Sequence, residues 1–380
     1  MRDVVVVGGG PVGVFLAALL AERGLDVVVW EKRSAASGLS RAIGVHPPSL
    51  AAFSQIGVAD RVADEAVQIR RGIARTSGRV LGTVSFSGVS DDFPFVASLQ
   101  QHRTEAIIEE RLAELAPGAL QRGVELVSLD DMDPGSVRLH GRSGGQAVFE
   151  VARFVVGADG ARSAVRHLLG IRASLRVYAD PFAMGDFRDD TGEGDDAVVF
   201  LEPGGVVESF PLPGGLRRFV AHTGGETGRV TAESFAALVT SRTGSPIDPS
   251  TSTMVSSFTT RRRLAERLVH GRVILIGDAG HEISPIGGQG MNLGWLDAVE
   301  LAPILVGGVG RDHLDGPALD EFEARRMRVA RRAARQAEAN MAMGRPTGGI
   351  RRVTRDAGFG LVLASPAKRL LARSYSMAWA

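Results

Sequence analysis

The stretch Val4-Val5-Val6-Val7-Gly8-Gly9-Gly10-Pro11-Val12-Gly13, running on through Val14–Arg23 to Gly24, decides the fold of the N-terminal third. Four consecutive valines are too short and too β-branched for a helix and suit a strand buried on both faces of a parallel sheet. Val14–Arg23 is rich in Ala and Leu, a helix pattern, and Gly24 stands where a C-terminal stop belongs. Asp26–Trp30 (DVVVW) repeats the buried-strand pattern. The result is a βαβ unit. Gly8, Gly10 and Gly13 then fit G-x-G-x-x-G between a strand and a helix, the context in which that motif cradles a pyrophosphate on free N–H groups. Glu31 closes the second strand 18 positions after Gly13 (31 − 13). A carboxylate there accepts hydrogen bonds from an adenosine ribose and disfavours a 2′-phosphate. The unit alone does not separate NAD from FAD.

Composition narrows the remaining classes. At 380 residues the chain suggests two or three domains, and its 44% apolar and 23% charged residues are those of a globular protein. Lys and Arg (44) balance Asp and Glu (43) to a net +1, which gives no electrostatic reason to expect nucleic acid or an anionic membrane as partner. The absence of cysteine excludes disulfides, thiolate metal sites, iron–sulfur clusters and cysteine redox pairs. No apolar run approaches the ~18 residues of a membrane span. No charged leader precedes a cleavable apolar segment, so a cytoplasmic location is expected.

Further along, residues 104–115 read as an amphipathic helix, with strands expected at Val124–Val127, Ser136–His140 and Ala147–Val156. Between about 175 and 260 the texture turns to short β-rich runs (Val198–Leu201, Val206–Phe210, Arg218–His222) broken by Pro-Gly-Gly turns, which predicts an antiparallel sheet. From Leu319 onward the chain reads as helical. The arginine-rich run Arg325–Arg335 spreads its charges over several helix faces, so a solvated helix or a subunit contact is expected of it. No repeat or low-complexity linker separates the parts, so the domains are expected to interleave.

Two more glycine-punctuated segments complete the pattern. Phe154–Gly170 (FVVGADGARSAVRHLLG) is a strand, an Asp-Gly turn and a helix carrying Arg162, Ser163 and Arg166 in its first turns. Gly271–Ala298 (GRVILIGDAGHEISPIGGQGMNLGWLDA) is a strand ending at Gly277-Asp278, then Pro285, then glycines ahead of a helix expected near Asn292. With these three segments in order, the chain resembles the group A flavoprotein aromatic hydroxylases, the single-component FAD monooxygenases of the para-hydroxybenzoate hydroxylase type. Gln101-His102-Arg103-Thr104-Glu105 brings it nearest to the phenol and aromatic polyketide hydroxylases.

The resemblance implies an α/β fold. A Rossmann-like FAD-binding domain (residues 1–70, 100–172 and 270–320) would interleave with an antiparallel substrate-binding sheet (71–99 and 173–269), followed by a helical segment (321–380) without the thioredoxin-like extension of larger relatives. Residue by residue it implies Gly8, Gly10 and Gly13 for the pyrophosphate, Glu31 for the ribose, Arg41 and Gln101 against the cofactor, and Asp159 for FAD and nicotinamide handling. Asp278 would hold the ribityl chain, and the loop of Gly290, Met291 and Asn292 would lie along the flavin ring. NAD(P)H would reduce FAD, and O2 would add to it as a C4a-hydroperoxide that hydroxylates an aromatic, phenolic or polyketide-like substrate. No metal is implied, and a monomer or homodimer is expected.

Asp159 and Asp278 also fit plain helix caps. Of the side chains with acid–base potential, only His46 and His281, with Pro285 beside them, are candidates, and a lone His is more often structural. The substrate pocket is expected between the flavin ring and strands Val198–Phe200, Val207–Phe210 and Phe219–His222, with Phe93–Phe95 and Pro285. A flavin-dependent reductase of the same fold and a non-catalytic flavin-binding subunit are the alternatives. A halogenase is not, because Trp30, Trp295 and Trp379 lie too far apart to form its W-x-W-x-I-P motif.

Overall fold

In the computed structural model, which describes residues 1–36, 42–131, 135–225, 230–309 and 316–379, two eight-stranded sheets carry the chain. The first grows from the N-terminal unit. The strand Arg2–Val7 lies parallel to Val27–Glu31 on one side and to the C-terminal part of Gln146–Gly157 on the other. Parallel pairing extends outward to Leu120–Arg122 and Val273–Leu275. The N-terminal part of Gln146–Gly157 turns to antiparallel pairing with Val137–Ser143, which in turn pairs with Val124–Asp131. Val4, Val5, Val6, Val28, Val29, Val155 and Val156 are all buried, as strands covered on both faces must be.

Helices Gln101–Leu115 and Gly290–Gly308 pack against Pro11–Glu22. Phe15, Phe53 and Trp295 form an edge-to-face chain with centroid spacings of 5.1 and 4.7 Å. The Trp295 Nε1–H donates to the Pro11 carbonyl at 3.0 Å. Gly294 makes the approach possible, since a Cβ there would stand 2.4 Å from Val12. Two helix N-termini are thereby held side by side. The helices Pro11–Glu22 and Gln101–Leu115 start about one turn earlier than their apolar patterns suggest, because Pro at the first helical position is preorganised and polar first turns carry no periodicity.

The second sheet runs His281–Glu282, Met254–Ala265, Ala173–Arg188, Leu216–His222, Gly205–Leu212, Ala197–Glu202, Arg71–Thr76, Arg79–Ser85. It is antiparallel except where Arg71–Thr76 meets Ala197–Glu202. Strand alternation gives it two different faces. Phe187, Val198, Phe200, Val207 and Phe219 pack on Phe235, Ala236 and Val239 of helix Ala232–Thr243. Met184, Val199, Val206, Glu208, Phe210, Arg218 and Val220 line a cavity on the other side. Phe93 and Phe95 belong to the core of the first sheet.

The C-terminal part forms helices Gly316–Gly344, Gly349–Ala364 and Lys368–Tyr375. Arg326, inside the arginine-rich run, departs from the solvated reading: it is 1% exposed, paired with Asp297 and Glu300, and donates to the Leu293 carbonyl.

Candidate cofactor and substrate site

One continuous cavity of about 870 Å³ lies between the two sheets, near the upper end of the roughly 300–1,000 Å³ typical of ligand pockets. At one end it is floored by Gly8, Gly10, Pro11, Val12 and Glu31. It passes Asp159, Asp278, Gly290 and Met291, and it ends against the second sheet and the C-terminal helices.

The glycines of the first loop do separate jobs. Gly8 has φ +109° and a Cβ there would lie 2.4 Å from the Ala158 carbonyl oxygen, so only glycine passes. Gly10 caps the helix with no side-chain hydrogen bond and has open space where a Cβ would stand, leaving the first-turn N–H groups free toward the cavity. Gly13 does not reach the cavity wall. Its Cβ would meet the Gly8 carbonyl oxygen at 2.0 Å, so it lets the helix close on the loop.

Glu31 is buried at the end of its strand. Its Oε2 accepts from the Gly9 N–H at 2.8 Å, and its Oε1 accepts from the Arg33 N–H and Nε, each at 2.9 Å. Burial opposes the charge, but these donors hold the carboxyl below its usual range. A carboxylate offers about four lone-pair sites, and three are taken, which leaves about one for a ribose hydroxyl. Gln101 lines the same end, donating to Glu105 at 2.7 Å and accepting from the Ala42 N–H at 3.3 Å. Arg41 lies outside the described residues.

In the middle of the cavity the two aspartates differ. Asp159 caps the helix Ala164–Leu168: its Oδ2 accepts from the Ala164 and Val165 N–H groups at 2.6 and 3.1 Å, while its Oδ1 has no partner. Arg162 lines the cavity beside it. Arg166 is buried and donates to the Ala279 and Ala161 carbonyls. Asp278 caps nothing: its 3-10 turn shows no side-chain cap, and its carboxylate has no hydrogen-bond partner among the described residues. The cavity is what exposes it. The protein packed around it pushes the carboxyl up to about 6, with Glu282 adding to the shift.

The helix Gly290–Gly308 points its uncapped N-terminus at the same space, with Gly290 and Met291 on the wall. Asn292, by contrast, is fully buried behind it. Its Oδ1 accepts from the His46 N–H, and its Nδ2 donates to the Gly44 and Gly288 carbonyls, all at 2.9 Å. Asn292 therefore staples two loops and shows no side chain to the cavity.

The histidines part company as well. His46 lines the cavity with both ring nitrogens unpartnered, and burial pushes it down to about 4, so it is neutral at physiological pH. His281 lies off the cavity, 1% exposed, with its Nε2 2.7 Å from Asp297. Burial opposes its charge, and Asp297 holds its pKa above the usual value nonetheless. Asp297 also accepts from the Gly277 N–H at 2.8 Å and from Arg326 at 2.6 Å, and Arg326 reaches Glu300 at 2.8 Å. This buried network clamps the turn that carries Asp278 onto two helices. The sequence carries no sign of it, since Asp297 and Arg326 sit in unremarkable helical positions 29 apart.

At the far end, of the expected lining residues, Val199, Glu208, Phe210, Val220 and Pro285 face the cavity. Val198, Phe200, Val207 and Phe219 face the opposite way, one residue out of phase, and Phe93, Phe95 and His222 lie elsewhere. The C-terminal helices supply Asn340, Met343, Phe359, Leu363, Leu371 and Tyr375, which no motif announces. These residues fit an FAD. A free helix N-terminus suits the pyrophosphate, Glu31 a ribose hydroxyl, and the unpartnered Asp278 a donor further along.

Comparison with known proteins points to the same cofactor. The FAD binding domain family matches residues 1–337. The 6-methylpretetramide 4-monooxygenase of Streptomyces rimosus is 33% identical over 347 residues, 87% of this chain but 60% of that protein, so the chain spans less than two thirds of that relative. The para-nitrophenol 4-monooxygenase of Pseudomonas sp. strain WBC-3 is 30% identical over 341 residues, covering 87% of this chain and 83% of the relative. Among solved structures, a p-nitrophenol 4-monooxygenase from Pseudomonas putida DLL-E4 superposes with a TM-score of 0.89 at 25% identity, over 100% of this chain and 98% of that one. Aklavinone-11 hydroxylase, solved with FAD and aklavinone, gives 0.77 at 26% identity over 91% and 69%. The chain belongs to the FAD binding domain family.

Proposed function

We propose that this chain is an FAD-dependent monooxygenase that uses NAD(P)H and O2 to hydroxylate an aromatic, phenolic or polyketide-like small molecule, working in the cytoplasm as a monomer or homodimer. The first sheet and its helices serve the cofactor, and the second sheet serves the substrate. The observation that carries this reading is the single cavity joining an uncapped dinucleotide-type helix N-terminus to an apolar sheet face.

Bound FAD would supply electron exchange with NAD(P)H and activation of O2. The protein's own contribution is placement and environment. The Pro11–Glu22 N-terminus and Glu31 bind the adenosine diphosphate half, and Asp278 takes a hydroxyl of the chain beyond it. The N–H groups at Gly290 and Met291, at the positive end of a 19-residue helix, favour negative charge on a reduced ring. Val199, Val206, Phe210, Val220, Phe359 and Leu363 keep water from the substrate end. His46, neutral throughout the working range, forms part of the wall.

The test is reconstitution. The protein should bind FAD more tightly than FMN, lose its yellow colour under anaerobic NAD(P)H, and incorporate one atom of labelled O2 into an aromatic product. Bleaching with no oxygen incorporated across a panel of phenols and polyketides identifies a reductase instead. Bound FAD that NAD(P)H does not bleach identifies a non-catalytic flavoprotein.

A further inference from the structure

At the substrate end of the cavity, Glu208 is an ionisable side chain left without a partner. It occupies the middle of strand Gly205–Leu212, flanked on its own strand by Val206 and Phe210 and across the register by Val199 and Val220. No hydrogen bond or ion pair reaches its carboxylate among the described residues, and the surface it retains is cavity surface. Arg218, the nearby cation on the same face, is already committed to Asp186 through contacts of 2.6 and 2.7 Å, and both side chains are buried.

Tyr375 and Asn340 line the same cavity, with the Tyr375 hydroxyl donating to Asn340 Oδ1 at 3.4 Å. Around them the wall is Phe359, Leu363 and Leu371. Burial pushes Tyr375 up to about 12, and the charge of Glu208 adds to the shift, so the two lie within each other's field. A carboxylate without a donor in apolar surroundings is costly, so a ligand that brings a donor to it is favoured.

We propose that Glu208, with Tyr375 and Asn340 lining the same cavity, is the docking point for a hydroxyl of the substrate, so that the pocket selects uncharged phenolic ring systems and rejects carboxylated ones. The proposal rests on the monooxygenase reading and names its substrate class. A neutral hydroxyl gives the carboxylate a charge-assisted hydrogen bond without burying a second charge, and the apolar walls take the ring faces. A substrate carboxylate would meet Glu208 as a like charge. A ligand with the hydroxyl blocked would leave the carboxyl unpaired, the situation in which binding sites discriminate most sharply.

Calorimetric titration of the FAD-loaded protein tests this with 1-naphthol, 1-methoxynaphthalene, 1-naphthoate and 1-(aminomethyl)naphthalene. Wild type should prefer the naphthol to its methyl ether by about tenfold or more, and Glu208→Leu should abolish the preference. Naphthoate binding should strengthen as pH falls through about 7, where burial has moved the Glu208 titration, and Glu208→Gln should admit naphthoate at every pH. Arg218 is locked to Asp186 and Tyr375 titrates far higher, so Glu208 is the group of this cluster that changes charge there. Tyr375→Phe should weaken the naphthol without restoring naphthoate. FAD retention and melting temperature on each variant separate selectivity from folding. Equal affinity of wild type for naphthol and ether, pH-independent naphthoate binding, tighter binding of the amine than of the naphthol, or no binding of any probe overturns the assignment of Glu208 while leaving the FAD reading intact. A wild-type protein that holds no FAD overturns the functional reading and this one with it.

Discussion

Replacing Asp278 by Asn should weaken FAD binding and stabilise the FAD-free protein at the same time. The carboxylate stands in the cavity with no hydrogen-bond partner among the described residues, and its surroundings push its pKa up to about 6. If it accepts a hydroxyl of FAD, that bond is charge-assisted, and such bonds contribute about 1.5–3 kcal/mol. At about 1.4 kcal/mol per decade this is roughly a tenfold to hundredfold loss of affinity for Asp278→Ala, and somewhat less for Asp278→Asn, whose amide oxygen still accepts.

The stability effect has the opposite sign. A carboxyl whose folded pKa lies above its unfolded value binds more protons in the folded state between the two, so folding stability falls as pH rises from about 4 to about 6 and stays reduced above. Asp278→Asn removes that fall. The apoprotein variant should melt higher than wild type at pH 7.5 and no higher at pH 4. Paired FAD titrations and thermal scans at the two pH values read both effects. A plain helix cap would behave otherwise, losing about 1 kcal/mol of stability on substitution with FAD affinity unchanged. Unchanged FAD affinity, or a variant less stable than wild type at pH 7.5, refutes the reasoning.

Other substitutions probe the neighbouring parts. Gly13→Val drives a side chain to within 2.0 Å of the Gly8 carbonyl oxygen, so it should lower the melting temperature or abolish soluble expression, not merely release FAD. A Cβ at Gly290 would meet nothing closer than Ile283 at 3.6 Å, so Gly290→Val should fold normally by circular dichroism while weakening FAD or diverting NAD(P)H oxidation to hydrogen peroxide. Arg326→Ala leaves Asp297 buried beside His281 with half its counter-charge gone and should cost roughly 3–5 kcal/mol in chemical denaturation. His46→Gln should leave the shape of the pH–rate profile between pH 6 and 8 unchanged, because the ring it replaces is already neutral there; loss of an inflection near 6.5 would assign His46 a proton-transfer role.

What the sequence discloses and what it hides divide along a physical line. The βαβ unit, the strand ending at Asp278 and the sheet of residues 197–222 are legible because each rests on local rules: runs of valine, glycine where a side chain would collide, turns between short strands. The facing of that sheet is not local. Val198, Phe200, Val207 and Phe219 look no less suited to a ligand pocket than Val199, Phe210 and Val220, and only the helix at Ala232–Thr243 decides which set is core. The same alternation singles out Glu208, since Val206, Glu208 and Phe210 share one face, and a charge in the middle of an apolar stripe is a signal available from spacing alone. Arg326 and His281 show the reverse case. Each has the composition of a surface or catalytic group, yet both are consumed by Asp297, a partner assigned only by the packing of two helices against the end of a strand. Their burial has a use. An ion network with every charge paired is rigid, and it lies directly behind the turn at Gly277. Asp278, on that turn but outside the network, is therefore held in place and unsatisfied together, which is the condition a ligand-binding carboxylate requires.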